Sequence, residues 1–283
     1  MDEASIRADA IEGLEHKLDE PLDASVLTAL QRVSREAFVD DTPREGDSSH
    51  GGDGASGSLS TEVVVRLITA LEAAAGDEVL VVGAGGGYSV AMLAEIAGAR
   101  HVHAVDIDRE AVWTARSNLA AAGYDAVLVD RRDGANGLPE YAPYDRILLE
   151  AAVVEPPRAL RDQLAADGRL VYPRGTAVQT IAAIEPDADG ERDAGSDPDA
   201  DLGPDAASEQ TRARPSTEDD TAPPGFSTVE TAGPVRIDPM LVDGEQGGVE
   251  RNRTRREDAE WATQGHFAPH GWEQEWIDWD DRL

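Results

Sequence analysis

The sequence predicts an α/β protein built on a doubly wound, Rossmann-like sheet with a mostly parallel core. Three observations support this fold class. Short apolar runs rich in β-branched residues alternate with segments of helical spacing between residues 78 and 184. A glycine-rich turn, GAGGG over residues 83–87, joins the first of these strands to a helix. An acidic residue, Asp106, then follows the second strand, as in folds that bind nucleoside cofactors.

A helical extension is predicted in front of the sheet. Apolar residues recur at helical spacing over residues 3–18 and 25–38. The stretch over residues 40–58 is mainly Gly, Ser and Asp, a composition typical of a mobile loop. Helical spacing then resumes over residues 61–75. We therefore separate residues 1–60, helices and loop, from the domain that follows.

Residues 61–185 are predicted to form the cofactor-binding domain. After the helix at 61–75, its elements follow in this order: strand 78–82, helix 88–97, strand 101–105, helix 109–122, strands 126–129 and 145–149, helix 156–166, and strands 169–173 and 178–184. This alternation is what a largely parallel sheet with crossover helices requires.

The remainder of the chain divides into three parts. Residues 186–225 are acidic and almost free of aliphatic side chains, so they cannot bury enough apolar surface to offset their ordering entropy, and we predict a disordered insertion. Residues 226–243 are predicted to hold the last strand, which Pro239 ends early or places at a sheet edge. Residues 244–283 contain four of the five tryptophans, three of them at i, i+4 and i+7, and we predict a short helix that docks on the domain.

The charge of the chain is extreme for a globular enzyme. The 283 residues carry 57 acidic and 25 basic side chains, a formal net charge of −32, and Lys17 is the only lysine. Self-repulsion of this size destabilises a compact state in dilute buffer, whereas molar salt shortens the Debye length to about 3 Å. We therefore expect a halophilic archaeal protein from a salty cytoplasm. Nonspecific binding to nucleic acid is disfavoured because phosphate contacts need positive charge.

Other functional classes are excluded by composition. The absence of cysteine removes disulfides, thiolate nucleophiles and cysteine-based zinc sites. The N-terminus is acidic and has no apolar signal core, and no stretch approaches the roughly 20 apolar residues of a membrane span. These features favour a cytoplasmic protein without membrane contact, and they leave the oligomeric state undetermined.

The glycine spacing favours S-adenosylmethionine as the cofactor. The turn contains Gly83, Gly85 and Gly87, but Tyr88 stands where a dinucleotide fingerprint needs its third glycine. No Gly-Lys-Ser/Thr follows, which excludes a phosphate-binding loop of the Walker type. Asp106 is placed to accept hydrogen bonds from the paired ribose hydroxyls. The alternative is that the glycines serve only a tight strand-to-helix turn.

Three stretches carry a more specific resemblance. They are VLTALQRVSREAFVD from Val26, VLVVGAGGGYSVAMLAEIAG from Val79, and RDGANGLPEYAPYDRILLEAAVVEPPRALRDQLAADGRLVYPRG from Arg132. With them, the chain from about Val26 to Val242 resembles the protein-L-isoaspartate O-methyltransferase family, class I S-adenosylmethionine enzymes that repair isomerised aspartates. The resemblance implies a last strand that lies antiparallel, and isoaspartyl-containing proteins or peptides as acceptors.

The resemblance also assigns roles to individual residues. Gly83, Gly85 and Gly87 would line the methionine and ribose side of the cofactor, and Asp106 would hold the ribose. Asp133, with the Gly134 backbone beside it, would face the adenine edge, although an Asp-Gly pair is also a common turn.

Ser60 aligns with a serine of the family's acceptor-positioning segment, and its alternative role is to cap the helix that follows. The chain departs from the family pattern in three ways: Gly57 replaces a glutamine, the Pro-x-Met phrase after the serine is absent, and Glu150 replaces a small polar or apolar residue. A methyltransferase with another acceptor, such as a small molecule or RNA, and a non-catalytic cofactor-binding relative therefore remain alternatives.

Overall fold

The computed structural model describes residues 13–14, 21–38, 59–176, 179–187 and 222–241. Several predicted segments lie outside this part of the chain: most of the first helix, the loop at 40–58, nearly all of the acidic insertion, and the Trp-rich tail at 244–283. The domain limits that depend on these segments stay predictions.

The described residues form one seven-stranded sheet. Its strands are β1 (Val79–Val82), β2 (Val102–Asp106), β3 (Leu128–Arg131), β4 (Tyr144–Leu149), β5 (Leu164–Gly175), β6 (Gln179–Pro186) and β7 (Phe226–Val235). Their order is β3-β2-β1-β4-β5-β6-β7. The first five strands are parallel, β6 is antiparallel to β5, and β7 is antiparallel to β6. The predicted fold class, including the antiparallel pairing of the last strand, is confirmed.

Helices cover both faces of this sheet. They are α1 (Ala24–Arg32), α2 (Thr61–Leu71), α3 (Tyr88–Leu93), α4 (Arg109–Ala121) and α5 (Arg158–Asp162). In β1, Val79 and Val81 belong to the core beneath α1 to α4, whereas Leu80 and Val82 belong to the opposite core with Leu160 of α5. A strand buried on both faces is continuously apolar, which is why β1 has no polar alternation.

The predicted boundary between the fifth helix and the fifth strand was wrong. The helix expected over 156–166 is the shorter α5, and β5 begins at Leu164 instead of residue 169. Leu164 pairs with Tyr144 of β4, ahead of a register shift, so pairing along the sheet replaces the last helical turn. The last strand ends at Val235, before Pro239, and lies at the edge of the sheet, which agrees with the prediction made from that proline.

The segment after β7 returns to the middle of the sheet. The Met240 amide donates to the Ala152 carbonyl at 2.9 Å, and the Ala152 amide donates to the Asp238 carbonyl at 2.9 Å. Gln179 fixes the same segment, because its side chain bonds both the amide and the carbonyl of Ile237. As a result, Ile237 and Asp238 lie beside the end of β4, at the carboxyl edge of the parallel strands.

The two ends of the acidic insertion meet at the end of the β6–β7 hairpin. Pro186 pairs with Phe226, and the Asp187 amide donates to the Gly225 carbonyl at 3.1 Å. The Ser227 hydroxyl donates to the Asp187 carboxylate at 2.6 Å. A short turn could therefore join the two strands in place of residues 188–221.

Replacing residues 188–221 with a six-residue Gly/Ser linker should leave the free energy of unfolding unchanged or raise it by about 1 kcal/mol, since loop-closure entropy depends weakly on length. Denaturant unfolding in molar KCl measures this. A control with a Gly/Ser segment of the natural length separates the effect of length from that of composition. A shortened chain that unfolds at clearly lower denaturant would show that the acidic segment packs on the domain.

Candidate active site

The turn after β1 requires glycine for conformational reasons. Gly83, Gly85 and Gly87 have φ angles of +99°, +50° and +93°, a region that residues with a Cβ rarely adopt. A Cβ on Gly86 would collide with the Phe38 carbonyl oxygen, so the N-terminal segment lies directly on the turn. The turn is therefore a structural necessity, and it also leaves backbone open to a ligand at Gly85, where a Cβ would meet no atom within 4 Å.

Asp106 is fixed at the end of β2 by the same turn. Its Oδ2 accepts a hydrogen bond from the Gly85 amide at 3.0 Å, and its Oδ1 accepts one from the Asp108 amide at 2.9 Å. Burial raises the pKa of this carboxyl, and the Gly85 and Asp108 amides oppose that shift by stabilising the ionised form. Each oxygen keeps a second lone pair, so the carboxylate can still receive the two hydroxyls of a ribose.

A cavity of about 160 Å³ opens beside Asp106. The described residues that line it are Leu59, Val64, Gly83, Ala84, Gly85, Gly86, Tyr88, Ser89, Asp106, Glu150, Ile237 and Asp238. The cavity lies at the carboxyl ends of the parallel strands, where ligands bind in sheets of this type. Its acidic side chains are three carboxyl groups, and no basic residue is among the described residues that line it.

The structure brings three of the predicted cofactor residues to this cavity: Gly83, Gly85 and Asp106. Gly87 is not among the lining residues. It is directed towards α4, where a Cβ would be 3.3 Å from the Leu119 side chain and 3.4 Å from Ala115. Gly87 thus serves close packing between the turn and α4, and its contact with the cofactor stays a prediction.

Asp133 and Gly134 form a turn after β3. The Asp133 Oδ1 accepts a hydrogen bond from the Ala135 amide at 2.8 Å and caps a short 3₁₀ turn. A Cβ on Gly134 would overlap the Val82 side chain and lie 3.2 Å from Met240, so this position needs glycine for packing. The turn that an Asp-Gly pair commonly forms is therefore observed, and a contact between Asp133 and the adenine stays a prediction.

Ser60 caps α2. Its Oγ accepts a hydrogen bond from the Val63 amide at 3.3 Å, which satisfies one of the free amides at the helix start. The neighbouring Leu59 and Val64 line the cavity, but Ser60 is not among the lining residues that the structure describes. The capping alternative is therefore observed, and a contact between Ser60 and the acceptor stays a prediction.

Sequence reasoning missed much of the cavity wall. Tyr88 packs its ring 6.1 Å from that of Phe38, and the Arg35 guanidinium lies 5.4 Å from the Tyr88 ring centre. The Arg-x-x-Phe phrase of the N-terminal segment thus supports the wall formed by Tyr88. Ile237 and Asp238 come from the segment after β7, more than 80 residues along the chain from Glu150. No local pattern joins such distant positions.

Glu150 also lines the cavity, and the sequence alone assigns it no role. It follows β4 directly, and although the residue is partly exposed as a whole, its Oε1 is buried without a hydrogen-bond partner in the described structure. Burial raises the pKa of the Glu150 carboxyl to about 8, with a further increase from the charge of Asp106 and a partial opposing effect of a hydrogen bond from Ser89. The sequence feature that could have identified Glu150 is its position, where the family has a small polar or apolar residue.

The residues of this cavity fit S-adenosylmethionine. Asp106 presents a fixed carboxylate for the ribose, the glycine turn exposes backbone at Gly85, and the acidic lining suits a positively charged ligand. Fold and site together define a Rossmann-like methyltransferase. This class accounts for both the sheet order and the position of the glycine turn.

The chain belongs to the protein-L-isoaspartate(D-aspartate) O-methyltransferase family, whose sequence model matches residues 15–198. The protein-L-isoaspartate O-methyltransferase of Methanococcoides burtonii is 37% identical over 175 residues, which cover 59% of this chain and 85% of that relative. Protein-L-isoaspartate O-methyltransferase 2 of Pelobacter propionicus is 37% identical over 174 residues, covering 60% and 76%. The suspected family is thereby confirmed.

Solved structures agree on the fold. A protein-L-isoaspartate O-methyltransferase superposes with a TM-score of 0.53 at 23% identity, covering 63% of this chain and 59% of that one. A β-aspartate methyltransferase from Plasmodium falciparum, in complex with S-adenosyl-L-homocysteine, gives a TM-score of 0.51 at 20% identity, covering 63% and 89%.

Replacing Asp106 with Ala should weaken S-adenosylmethionine binding at least tenfold, because it removes two charge-assisted hydrogen bonds worth about 1.5 to 3 kcal/mol each. Titration calorimetry in molar KCl, below the melting transition of the variant, measures the affinity. Asp125→Ala, an exposed position in the turn after α4, is the matched control and should bind as the wild type does. Equal affinity in Asp106→Ala would remove Asp106 from the site.

Proposed function

We propose that this protein transfers the methyl group of S-adenosylmethionine to the free carboxylate of L-isoaspartyl residues in damaged proteins and peptides. The observation that carries the proposal is the family match over residues 15–198, which includes the whole parallel part of the sheet. The geometry of Asp106 and the glycine turn agrees with it, since both lie in the cavity that the family fold predicts.

Methyl transfer to a carboxylate requires mainly that the enzyme position the two reactants. When bound, S-adenosylmethionine supplies an electrophilic methyl group on a positively charged sulfur. A carboxylate acceptor is already ionised at neutral pH, so no side chain has to act as a strong base, and the enzyme gains rate by orienting the two reactants. Asp106 and the backbone at Gly83 and Gly85 would hold the nucleoside side of the cofactor.

The apolar wall of the cavity would exclude water from the reacting groups. Leu59, Val64, Tyr88 and Ile237 supply this wall from three different parts of the chain. Phe38 and Arg35 pack against the outer side of Tyr88 and hold the ring in place. Excluding water strengthens the electrostatic contacts inside the site and prevents it from competing as an acceptor.

We further propose that the protein works in a salt-rich cytoplasm. The net charge of −32 supports this, because molar salt screens the self-repulsion of so many carboxylates. Among the described residues, no helix is both long and apolar enough to cross a membrane.

The proposal predicts methyl transfer to isoaspartyl peptides in preference to aspartyl peptides of the same sequence. Labelled S-adenosylmethionine and paired peptides, incubated in molar KCl and in dilute buffer, test it. We expect transfer to the isoaspartyl member of each pair, blocked in Asp106→Ala and reduced in dilute buffer. Cofactor binding without transfer to any isoaspartyl peptide would overturn the acceptor and favour another one, such as a small molecule or RNA, or a non-catalytic role.

We also propose that the Ser60 hydroxyl helps to hold the acceptor, at the start of the helix that contributes Val64 to the cavity. Ser60→Gly separates this role from capping, because glycine caps within a few tenths of a kcal/mol of serine. We expect kcat/KM for isoaspartyl peptides to fall about tenfold at a nearly constant melting temperature, and Ser60→Thr to restore activity. Full activity in Ser60→Gly would leave capping as the only role of Ser60.

A further inference from the structure

The cavity has an unusual balance of charge. Asp106 enters it from the end of β2, Glu150 from the end of β4, and Asp238 from the segment after β7. The other polar side chains that line it are Tyr88 and Ser89 of α3, while Leu59, Val64, Ile237 and the turn after β1 contribute no charge. A wall of three carboxyl groups without a basic residue favours a ligand that carries positive charge.

Glu150 is the carboxyl group with an unmet bonding requirement. The Ser89 hydroxyl, 2% exposed, hydrogen-bonds to the carboxyl, but Oε1 is buried without a partner in the described residues. A buried oxygen without a hydrogen-bond partner destabilises the free protein. By contrast, both oxygens of Asp106 already accept backbone hydrogen bonds. Glu150 therefore has an oxygen available for a donor that the chain does not supply.

The sheet order determines which part of the cofactor can reach Glu150. β1 lies between β2 and β4, so Gly83 at the end of β1 separates Asp106 on one side from Glu150 on the other. A Cβ on Gly83 would lie 3.3 Å from the Glu150 Cβ, which shows how closely Glu150 approaches the turn. On the far side of β2 lies β3, followed by the predicted adenine residue Asp133. With the ribose on Asp106, the nucleoside extends towards β3 and the methionyl end towards β4.

We propose that Glu150 binds the positively charged methionyl end of S-adenosylmethionine, its ammonium and sulfonium groups, and releases its own proton to solvent as the cofactor binds. This role rests on the proposed function, because it requires that cofactor. In the step, the neutral carboxyl loses one proton to the buffer and the resulting carboxylate pairs with the ligand cation, so the total charge is conserved. Glu150 thereby adds a contact that a small residue at this position cannot make.

Proton release from Glu150 couples cofactor affinity to pH in a defined direction. Burial keeps the Glu150 carboxyl neutral in the free protein up to about pH 8, whereas a bound cation favours the carboxylate. Binding below pH 8 therefore releases a proton, and affinity rises with pH until the free protein is itself ionised. The cofactor's own amino group also titrates in this range, so the wild type has to be compared with a variant that binds the same ligand.

The matched variants are Glu150→Gln, which keeps the shape and the bond with Ser89, and Glu110→Gln, the same change at an exposed position on the first turn of α4. Calorimetry with S-adenosylmethionine at pH 6.5 and 8.5, in two buffers of different ionisation heat and molar KCl, gives both affinity and protons released. At pH 6.5, we expect the wild type and Glu110→Gln to release nearly one proton more than Glu150→Gln. Their affinity should also increase about twentyfold more between the two pH values.

Equal proton release and equal pH dependence in Glu150→Gln and the wild type would overturn the role of Glu150. Glu150→Thr, which introduces a small polar residue, provides the same comparison if Glu150→Gln does not fold. Failure of the proposed function gives different results: a wild-type protein that does not bind S-adenosylmethionine at all, or one that binds it with the proton release described but transfers no methyl group to isoaspartyl peptides.

Discussion

The hydrogen bond from the Gly85 amide to the Asp106 carboxylate is the interaction on which the site depends. It joins the turn after β1 to the end of β2 at 3.0 Å. The bond forms only because glycine permits the left-handed backbone of the turn, with φ of +50° at Gly85. One contact thus fixes the course of the turn, the orientation of the carboxylate and one side of the cavity.

The acidic wall of the cavity opposes the binding of an anionic acceptor. The family's acceptor is a carboxylate, yet the cavity wall carries three carboxyl groups. In the free protein, burial reduces this conflict, since the raised pKa of Glu150 keeps that group neutral at physiological pH. A cationic cofactor reduces it further, because its positive charge offsets the carboxylates around it. The acidic surface and the acidic cavity are therefore separate features. The surface charge suits a salt-rich solvent, and the charge of the cavity suits a positively charged ligand.

Long-range pairing explains where the structure departs from local expectation. Helical spacing extends through residue 166, but Leu164 gains a sheet partner in Tyr144 and joins β5. Helix propensities differ by less than about 0.7 kcal/mol per residue among ordinary side chains, so tertiary contacts readily override them. The chain after Val235 likewise leaves the sheet edge because Ala152 and Gln179 bind it near the end of β4.

Local sequence patterns were enough to predict the fold class, the sheet-forming segments, the glycine turn and Asp106, because each depends on residues that are close together in the chain. Only the tertiary structure brought Tyr88, Glu150, Ile237 and Asp238 into one cavity with them. It also showed that Ser60 caps a helix and that Asp133 closes a turn. Such roles depend on burial and on neighbours from other strands, which spacing along the chain does not encode.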